Sequence, residues 1–226
     1  MSSAVQPEIA NPEPLSHTVK TVLLDRIVRG EYEPGERIVE SRLARELSIS
    51  QSPVREALRE LAAIGLIEIE SRRGARVRRP TAKELSDVNL VRSEIDALGA
   101  RLAAHRLTEE DIVALKETQA AMIGCHEAED FVGMTRADTK FHTIIAVASG
   151  NEAVERVFAQ LEPFARTFLT LTSPKVESGD ILCQHQGILD ALVDRDADLA
   201  ERRARDHQLS VRAALFDEDL TDAEEA

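Results

Sequence analysis

Four polar side chains occupy positions that a helical pattern directs into a protein interior. Asp138 and His142 are one helical turn apart, and His185 and His207 each stand at the centre of a separate apolar stripe. Burying such groups without partners costs several kcal/mol each, so four of them in one core need a shared partner. Imidazole nitrogens with a carboxylate oxygen form a ligand set for a divalent transition metal. The sequence therefore predicts a buried metal site, with zinc expected first and nickel or another transition metal as alternatives.

The residues around these ligands predict the helices that must position them. Asp138 and His142 share the inward face of a helix over 131–149 with Phe141 and Ile145. The other two stripes comprise Ile181, Leu182, Ile188, Leu189 and Leu192 around His185, and Ala200, Ala204, Val211 and Ala214 around His207. His17, His105 and His126 show no such arrangement and are expected at the surface.

Six helices with short connections are predicted after residue 80. Capping sequences at Thr81 and Thr108 open the first two helices. The others are expected at 131–149, 152–171, 179–193 and 196–216, with a loop between the fourth and the fifth. The first helix has an apolar seam that comprises Leu85, Val88, Val91, Ile95, Leu98 and Leu102. This pattern predicts an all-α antiparallel bundle of six or seven helices.

A shorter helix near the N-terminus carries a different kind of chemistry. Val54, Leu58 and Leu61 recur at helical spacing and require a packing partner. Gln51, Arg55 and Arg59 lie one turn apart on another face. Gln and Arg present paired hydrogen-bonding groups that match the major-groove edges of adenine and guanine. The stripe alone also fits a surface helix with solvated arginines. The flanking sequence is therefore needed to choose between a DNA-reading helix and a surface helix.

The flanking sequence predicts a winged helix-turn-helix. A helix from residue 16 to Gly30 and a turn at Pro34–Gly35 precede a second helix over 39–47. Ser50 or Ser52 can cap the next helix. Alternating residues then predict a β-hairpin whose tip and exit are basic, with Arg72, Arg73, Arg76, Arg78 and Arg79. A basic hairpin after such helices suits contact with DNA phosphates.

Charge divides the chain near Pro80. Residues 1–80 contain 13 Lys and Arg against 12 Asp and Glu, a net charge of +1, whereas residues 81–226 contain 15 against 29, a net charge of −14. We expect a disordered tail over 1–14, a DNA-binding domain over 15–79, a helical effector- and metal-binding domain over 80–217 and an acidic tail over 218–226. The two cysteines lack metal or disulfide spacing, and no apolar run could cross a bilayer, so a soluble cytoplasmic protein is expected.

The stretch from Ser16 to Val77 resembles the winged helix-turn-helix of the GntR family of bacterial transcriptional regulators. It carries G-x-Y-x-P-G-E-R at 30–37, L-A-R-E-L at 43–47, S-x-S-P-V-R-E-A-L-R-E-L at 50–61, G-L-I at 65–67 and a glycine-tipped wing. The resemblance implies a homodimeric repressor or activator on a palindromic operator. It assigns base edges to Gln51, Ser52 and Arg55, phosphates to Arg42, Arg45 and Arg59, and the neighbouring groove to the wing tip Arg72, Arg73 and Gly74. Family members usually carry arginine where this chain has Gln51, so this chain is expected to prefer adenine there.

The second part is similar to the ligand-binding domain of the FadR branch of that family, through D-T-K-F-H at 138–142, A-S-G-N at 148–151, H-Q-G-I-L at 185–189 and His207. The resemblance implies that Asp138, His142, His185 and His207 bind a divalent metal. It also implies that a small carboxylate, an organic or sugar acid, completes the coordination of the ion. The residue before the third ligand is often acidic in the family and is Gln184 here. Arg92 and Arg166 are candidate carboxylate partners, or else solvated arginines.

Two other functions remain open at this point. The metal could be purely structural, with the effector bound elsewhere. A metal with an open position could also activate water, as in a hydrolase. No further Glu or His stands at motif spacing as a general base, so the sequence predicts a regulator and not an enzyme.

Overall fold

The computed structural model describes residues 14–70, 74–172 and 178–221. Its first elements form what we call the reader: α1 (Leu15–Val28), β1 (Arg37–Ile38), α2 (Glu40–Glu46), α3 (Gln51–Ala63), β2 (Ile67–Glu70) and β3 (Gly74–Val77). This is the predicted winged helix-turn-helix. Val54, Ala57, Leu58 and Leu61 of α3 are buried, as their spacing predicts, and α1 packs across them. Ser50 holds the N-cap position of α3, but its side chain makes no capping bond, so the predicted serine cap is wrong.

The wing is part of a three-stranded antiparallel sheet with strand order β1-β3-β2. The predicted hairpin pairs Ile67 with Val77 and Glu70 with Gly74. The sequence analysis did not predict β1, which pairs Arg37 with Arg76. Two residues are too few to show a period, and their partner strand lies nearly forty residues further along the chain.

The remaining elements form the bundle: α4 (Ala82–Ala103), α5 (Glu109–Glu127), α6 (Phe131–Ala148), α7 (Glu152–Thr172), α8 (Ser178–Val193) and α9 (Ala197–Thr221). The capping boxes at Thr81 and Thr108 are present as predicted. The mainly α class and the six-helix count are therefore confirmed within the described residues. The α9 helix continues past residue 217, where the sequence predicts the acidic tail to begin, and most of the predicted loop before α8 lies outside the described residues. No helix in the described ranges combines the length and the apolar character that crossing a bilayer requires.

The predicted seam of α4 is wrong in part, because Leu85 is buried but Val91 and Leu98 lie on the outer face. Val91 and Leu98 are 53% and 42% exposed, and Leu90 is 50% exposed. The buried face of α4 instead carries small and polar side chains, among them Arg92 and Asp96. Apolar periodicity predicted residues of the outer face because most of the inner face is small or polar.

Two hydrophobic cores hold the chain together, and one of them joins the reader to the bundle. The first core contains the buried residues of α1 and α3 together with Phe164 and Phe168 of α7, Val211 of α9 and Leu85 of α4. Arg78 of the reader also lies over the Phe164 ring, 5.7 Å from its centroid. Burying a phenylalanine side chain is worth about 1.5–3 kcal/mol. The reader therefore packs directly on α7.

Candidate metal centre and DNA-reading surface

The structure brings the four predicted ligands together. Asp138 and His142 come from α6, His185 from α8 and His207 from α9, and all four are buried, with one candidate ligand atom from each lying within 4.8 Å of the others. His185 Nε2 lies 3.1 Å from Asp138 Oδ1 and 3.2 Å from His142 Nε2. Two nitrogens bound to one zinc ion at about 2.0–2.1 Å would be about 3 Å apart. The donor set and its spacing therefore fit a single transition-metal ion.

The electrostatic surroundings keep the ligands in their metal-binding protonation states. Burial lowers the pKa of both His142 and His207 well below the usual value, so each imidazole is neutral and has a lone pair to donate. Burial would raise the pKa of Asp138, but the Arg166 guanidinium and the His185 hydrogen bond together hold it well below the usual range. Asp138 is therefore a carboxylate, in an ion pair with Arg166.

Each histidine is held by an acceptor near its Nδ1 atom. His185 Nδ1 lies 2.8 Å from the Ile181 carbonyl oxygen, and His207 Nδ1 lies 2.9 Å from Gln184 Oε1. His142 Nδ1 lies 3.6 Å from Asp96 Oδ2. In the tautomer that carries its proton on Nδ1, the Ile181 carbonyl and the Gln184 amide oxygen accept that proton and leave Nε2 of His185 and His207 free for an ion, which is how second partners orient metal-binding histidines. The Gln184 amide oxygen thus lies where it can orient His207, a role that an acidic residue at this position could fill in the family that the sequence resembles.

Beside the ligands lies a buried pair that sequence reasoning did not assemble. The Arg92 side chain is 0% exposed, and its Nε lies 3.4 Å from Asp96 Oδ2, which also accepts a 2.7 Å hydrogen bond from Gln208 Nε2. The Arg92 terminal nitrogens make no hydrogen bond to the described residues, and its guanidinium carbon lies 5.5 Å from the Phe158 ring centroid. The reading of Arg92 as a solvated arginine is therefore wrong. In the sequence, Asp96 could have been identified only by its position one helical turn after Arg92.

Burial governs the charge of this pair. Desolvation raises the pKa of Asp96 to about 6, although Arg92 and Arg166 both act to lower it. A buried guanidinium with two uncommitted terminal nitrogens can receive an oxyanion bidentately. The space beside Asp96 and His142 is small, with a volume of about 10 Å³.

Arg166 is the second predicted carboxylate partner, and its side chain is only 16% exposed. It pairs with the ligand Asp138 and lies 3.7 Å from Glu162 Oε1 across one turn of α7. Glu162 is buried and accepts a 2.6 Å hydrogen bond from Thr139 of α6. Arg166 is thus a partner of a metal ligand, and its reading as a solvated arginine is wrong as well.

The predicted DNA contacts on α2 and α3 are all exposed. They are Arg42, Arg45, Gln51, Ser52, Arg55 and Arg59. Gly74 starts β3 with a φ of 88°, the left-handed conformation that favours glycine, whereas Arg72 and Arg73 lie outside the described residues. Arg37 on the unpredicted β1 lies beside the wing, because a Cβ atom added at Gly74 would be 3.5 Å from its Nε.

The two best-placed arginines of this set are already paired. Arg55 Nε lies 2.6 Å from Glu40 Oε2, and Arg55 Nη2 donates to Gln51 Oε1 at 3.2 Å. Arg42 Nε lies 2.8 Å from Glu46 Oε1. Arg55 thus connects Gln51 of α3 to Glu40 of α2 through hydrogen bonds on the protein surface. His17, His105 and His126 are exposed, as predicted, and both cysteines are free thiols.

Comparison with known proteins places both parts of the chain. Residues 15–77 match the family model described as bacterial regulatory proteins, gntR family, and residues 87–210 match the FCD domain. The "Probable D-xylose utilization operon transcriptional repressor" of Paenarthrobacter nicotinovorans is 33% identical over 192 residues, covering 84% of this chain and 83% of that protein. The "HTH-type transcriptional repressor RspR" of Escherichia coli (strain K12) is 26% identical over 207 residues, covering 90% of each chain.

Solved structures share the fold. A GntR transcriptional regulator from Rhodococcus sp. RHA1 superposes with a TM-score of 0.75 at 23% identity, covering 89% of this chain and 97% of that one. The Escherichia coli protein McbR/YncC gives a TM-score of 0.77 at 22% identity, covering 90% and 98%. The arrangement of a winged helix-turn-helix on a helical bundle is therefore common to all three.

The Arg92–Asp96 pair makes a prediction about stability. Asp96→Leu leaves the buried Arg92 cation without its carboxylate and should lower the free energy of unfolding by about 3–5 kcal/mol. The double variant Arg92→Met/Asp96→Leu removes both charges and should regain most of that loss. Urea denaturation of the two proteins measures both effects. A loss below about 1 kcal/mol in the single variant would mean that the pair is not buried as described.

Proposed function

Because this chain belongs to the GntR family of bacterial regulatory proteins and carries an FCD domain, we propose that it is a homodimeric repressor controlled by an organic acid at a metal centre. The relatives are transcriptional regulators, so the chain is a regulator and not a hydrolase. Repression is proposed because two relatives that match most of the chain are described as repressors. The observation that carries the proposal is the cluster of four buried ligands next to a helix that also packs on the reader.

DNA recognition is assigned to α3. In this proposal α3 enters the major groove of each half-site, with Gln51, Ser52 and Arg55 at base edges. Arg42, Arg45 and Arg59 contact phosphates, and the wing tip Arg72–Gly74 reaches the adjacent groove. Arg55 must exchange Glu40 for a base. A surface ion pair is worth about 0.2–1 kcal/mol and a good bidentate base contact about 1–3 kcal/mol, so the exchange is favourable on the correct sequence.

Asp138, His142, His185 and His207 are assigned to the metal, with zinc first and nickel or another transition metal as alternatives. An ion held there would act as a Lewis acid for an oxyanion at any open coordination position. Arg92 is fully buried beside Asp96, so a carboxylate could contact it only after a local opening, whereas Arg166 is partly exposed and pairs with the proposed ligand Asp138. The effector is therefore proposed to be a carboxylate that contacts the ion and at least one of these arginines.

The α7 helix is proposed to transmit the effector signal. Arg166 faces the metal ligands, while Phe164 and Phe168 lie in the core of the reader. A ligand that draws Arg166 away from Asp138 changes the position that α7 prefers. Since the reader packs on α7, it would shift with the helix. The protein would then have two conformations that differ in where the reader lies, and the effector would bind one of them more tightly. This difference in affinity is what allows an effector to change operator binding.

A second copy of the chain is proposed to cover the outer face of α4. Leu90, Val91 and Leu98 form an exposed apolar stripe along this helix, next to Glu94 and Arg101. Such a stripe on a soluble bundle is typical of an interface, and a two-fold axis through it would pair α4 with its own copy. Two readers related by that axis fit a palindromic operator.

The alternative in which the metal is structural also has support. The space beside His142 has a volume of about 10 Å³ and admits about one water molecule, so an effector that reaches the ion from that side requires a local opening. In that alternative the ion binds and stabilises the bundle, and the effector binds elsewhere. Metal content alone does not separate the two roles, but a ligand-binding measurement with and without the ion does.

The DNA assignment predicts a change of base preference. Operators selected from random DNA by the purified chain should have adenine opposite Gln51, and Gln51→Arg should move that preference to guanine. Arg55→Ala should weaken binding to the selected operator about tenfold or more, whereas Arg202→Ala, which removes an exposed arginine of α9, should not. Electrophoretic mobility shifts measure all three variants. Unchanged specific binding by Arg55→Ala would remove Arg55 from the base-reading set.

The metal assignment predicts one zinc ion per chain. His185→Ala should lose the ion, whereas His126→Ala, which changes an exposed histidine, should keep it; mass spectrometry of the metal content compares the two. Gln184→Leu keeps all four ligands but loses the acceptor for His207, so zinc affinity should fall about 10–100-fold in competition with a fluorescent chelator. Wild-type protein that holds no divalent ion after refolding with zinc would contradict the assignment.

The dimer assignment predicts that charge on α4 separates the copies. Wild-type protein should have twice the 24.9 kDa mass of one chain in light scattering after size-exclusion chromatography. Leu98→Arg should shift the mass toward one chain, because a buried interface does not tolerate an unpaired charge. Val113→Arg, at an exposed apolar position on α5, is the control and should stay dimeric. If Leu98→Arg remains a dimer, the interface does not lie on the outer face of α4.

A further inference from the structure

A large cavity lies between the reader and the bundle, away from the closed space at the ligands. It is bounded by α1 of the reader and by α6 and α7 of the bundle, and the volume open to the centre of a water molecule is about 350 Å³. The corresponding volume beside Asp96 and His142 is about 10 Å³. The interdomain cavity can therefore receive a small organic molecule without rearrangement, and the space beside Asp96 and His142 cannot.

The walls of this cavity are mostly apolar. Leu24 and Val28 come from α1, Val132 from α6 and Pro163 from α7. Four threonines also line it, and three of them donate their hydroxyl protons to the protein. Thr21 donates to the His17 carbonyl at 3.1 Å, Thr135 to the Phe131 carbonyl at 2.9 Å and Thr139 to Glu162 at 2.6 Å. A ligand there meets mainly hydrocarbon.

Charged side chains stand at both ends of the cavity, and at one end they include the partner of a candidate metal ligand. Arg166 and Glu162 both line the cavity, and Arg166 also pairs with Asp138. At the other end Arg136 forms an ion pair with Asp25, which also pairs with Arg29. An ion bound to Asp138 would compete with Arg166 for that carboxylate. Arg166 would then interact more strongly with another anion, and the divalent charge would add to its attraction.

We propose that this interdomain cavity is the effector site, and that its ligand is an organic anion with an apolar body whose carboxylate contacts Arg166. The inference rests on the proposed function, since it takes the effector to be a carboxylate, but it replaces the proposed contact with the ion by a contact with Arg166 in the neighbouring cavity. It narrows the class, because a sugar acid would lose the hydrogen bonds of its hydroxyl groups to water without finding enough donors and acceptors in the walls. It also places the ligand against α1, so the ligand would contact the reader directly.

Isothermal titration calorimetry of the full chain tests the site, with octanoate and 4-phenylbutyrate as apolar probes and gluconate as the hydroxylated one. Both apolar acids should bind the zinc-loaded protein, and gluconate should bind at least tenfold more weakly. Val132→Trp fills the cavity from α6 and should weaken octanoate binding at least tenfold. Val113→Trp, on the exposed face of α5, should leave it unchanged. Val28→Trp fills the cavity from the opposite wall and serves if Val132→Trp does not fold.

Three results would overturn the proposal: no binding of either apolar acid at millimolar concentration, octanoate binding that survives both tryptophan variants, or a preference for gluconate. Zinc removal tests the metal role separately. Octanoate should bind several-fold more weakly to the zinc-free protein, because Arg166 then remains on Asp138. If the tryptophan variants abolish binding but zinc has no effect, the cavity stands as the ligand site and the proposed role of the metal in sensing fails.

Discussion

The ion pair between Arg166 and Asp138 connects the two halves of the molecule. Asp138 belongs to the metal ligands, and Arg166 belongs to the helix whose opposite face completes the core of the reader. Both side chains are largely buried, so neither can lose its partner without a cost of several kcal/mol. The position of α7 therefore depends on what compensates the charge of Asp138. Because the reader packs on α7, the proposed signal would pass through this ion pair.

The interior of the bundle is unusually polar for its size. Arg92, Asp96, the four ligands and Gln208 lie in the space where an ordinary bundle would have aliphatic side chains. Such a core gives up stability, since a well-packed apolar core would avoid the desolvation of these groups. Arg92 in particular retains two terminal nitrogens without hydrogen bonds to the described residues. A cost of this kind is expected where a site must be ready to accept an ion and an anion.

Sequence reasoning succeeded where the pattern was local and failed where it was not. The reader could be predicted because its helices, turn and wing follow one another within about sixty residues. The ligands could be predicted because His185 and His207 interrupt apolar stripes. By contrast, the buried face of α4 combines Ala and Gly with Arg92, Asp96 and Asn89, which no search for apolar periodicity can detect. The same periodicity included Val91 and Leu98, which are exposed and which we assign to the proposed dimer interface. β1 depends on pairing with a distant strand, and the cavity at α1 depends on how the two halves pack.

The paired arginines of the reader also bear on how the protein finds DNA. With Arg55 held by Glu40 and Arg42 by Glu46, much of the positive charge on this surface is cancelled before any DNA approaches. Long-range attraction scales with the net charge that a surface presents, and residues 1–80 carry only +1. We therefore expect encounter with DNA to be only weakly steered and residence on random sequence to be short. On the proposed contacts, the operator would be distinguished by how slowly the protein leaves it, once the arginines have exchanged their carboxylates for DNA.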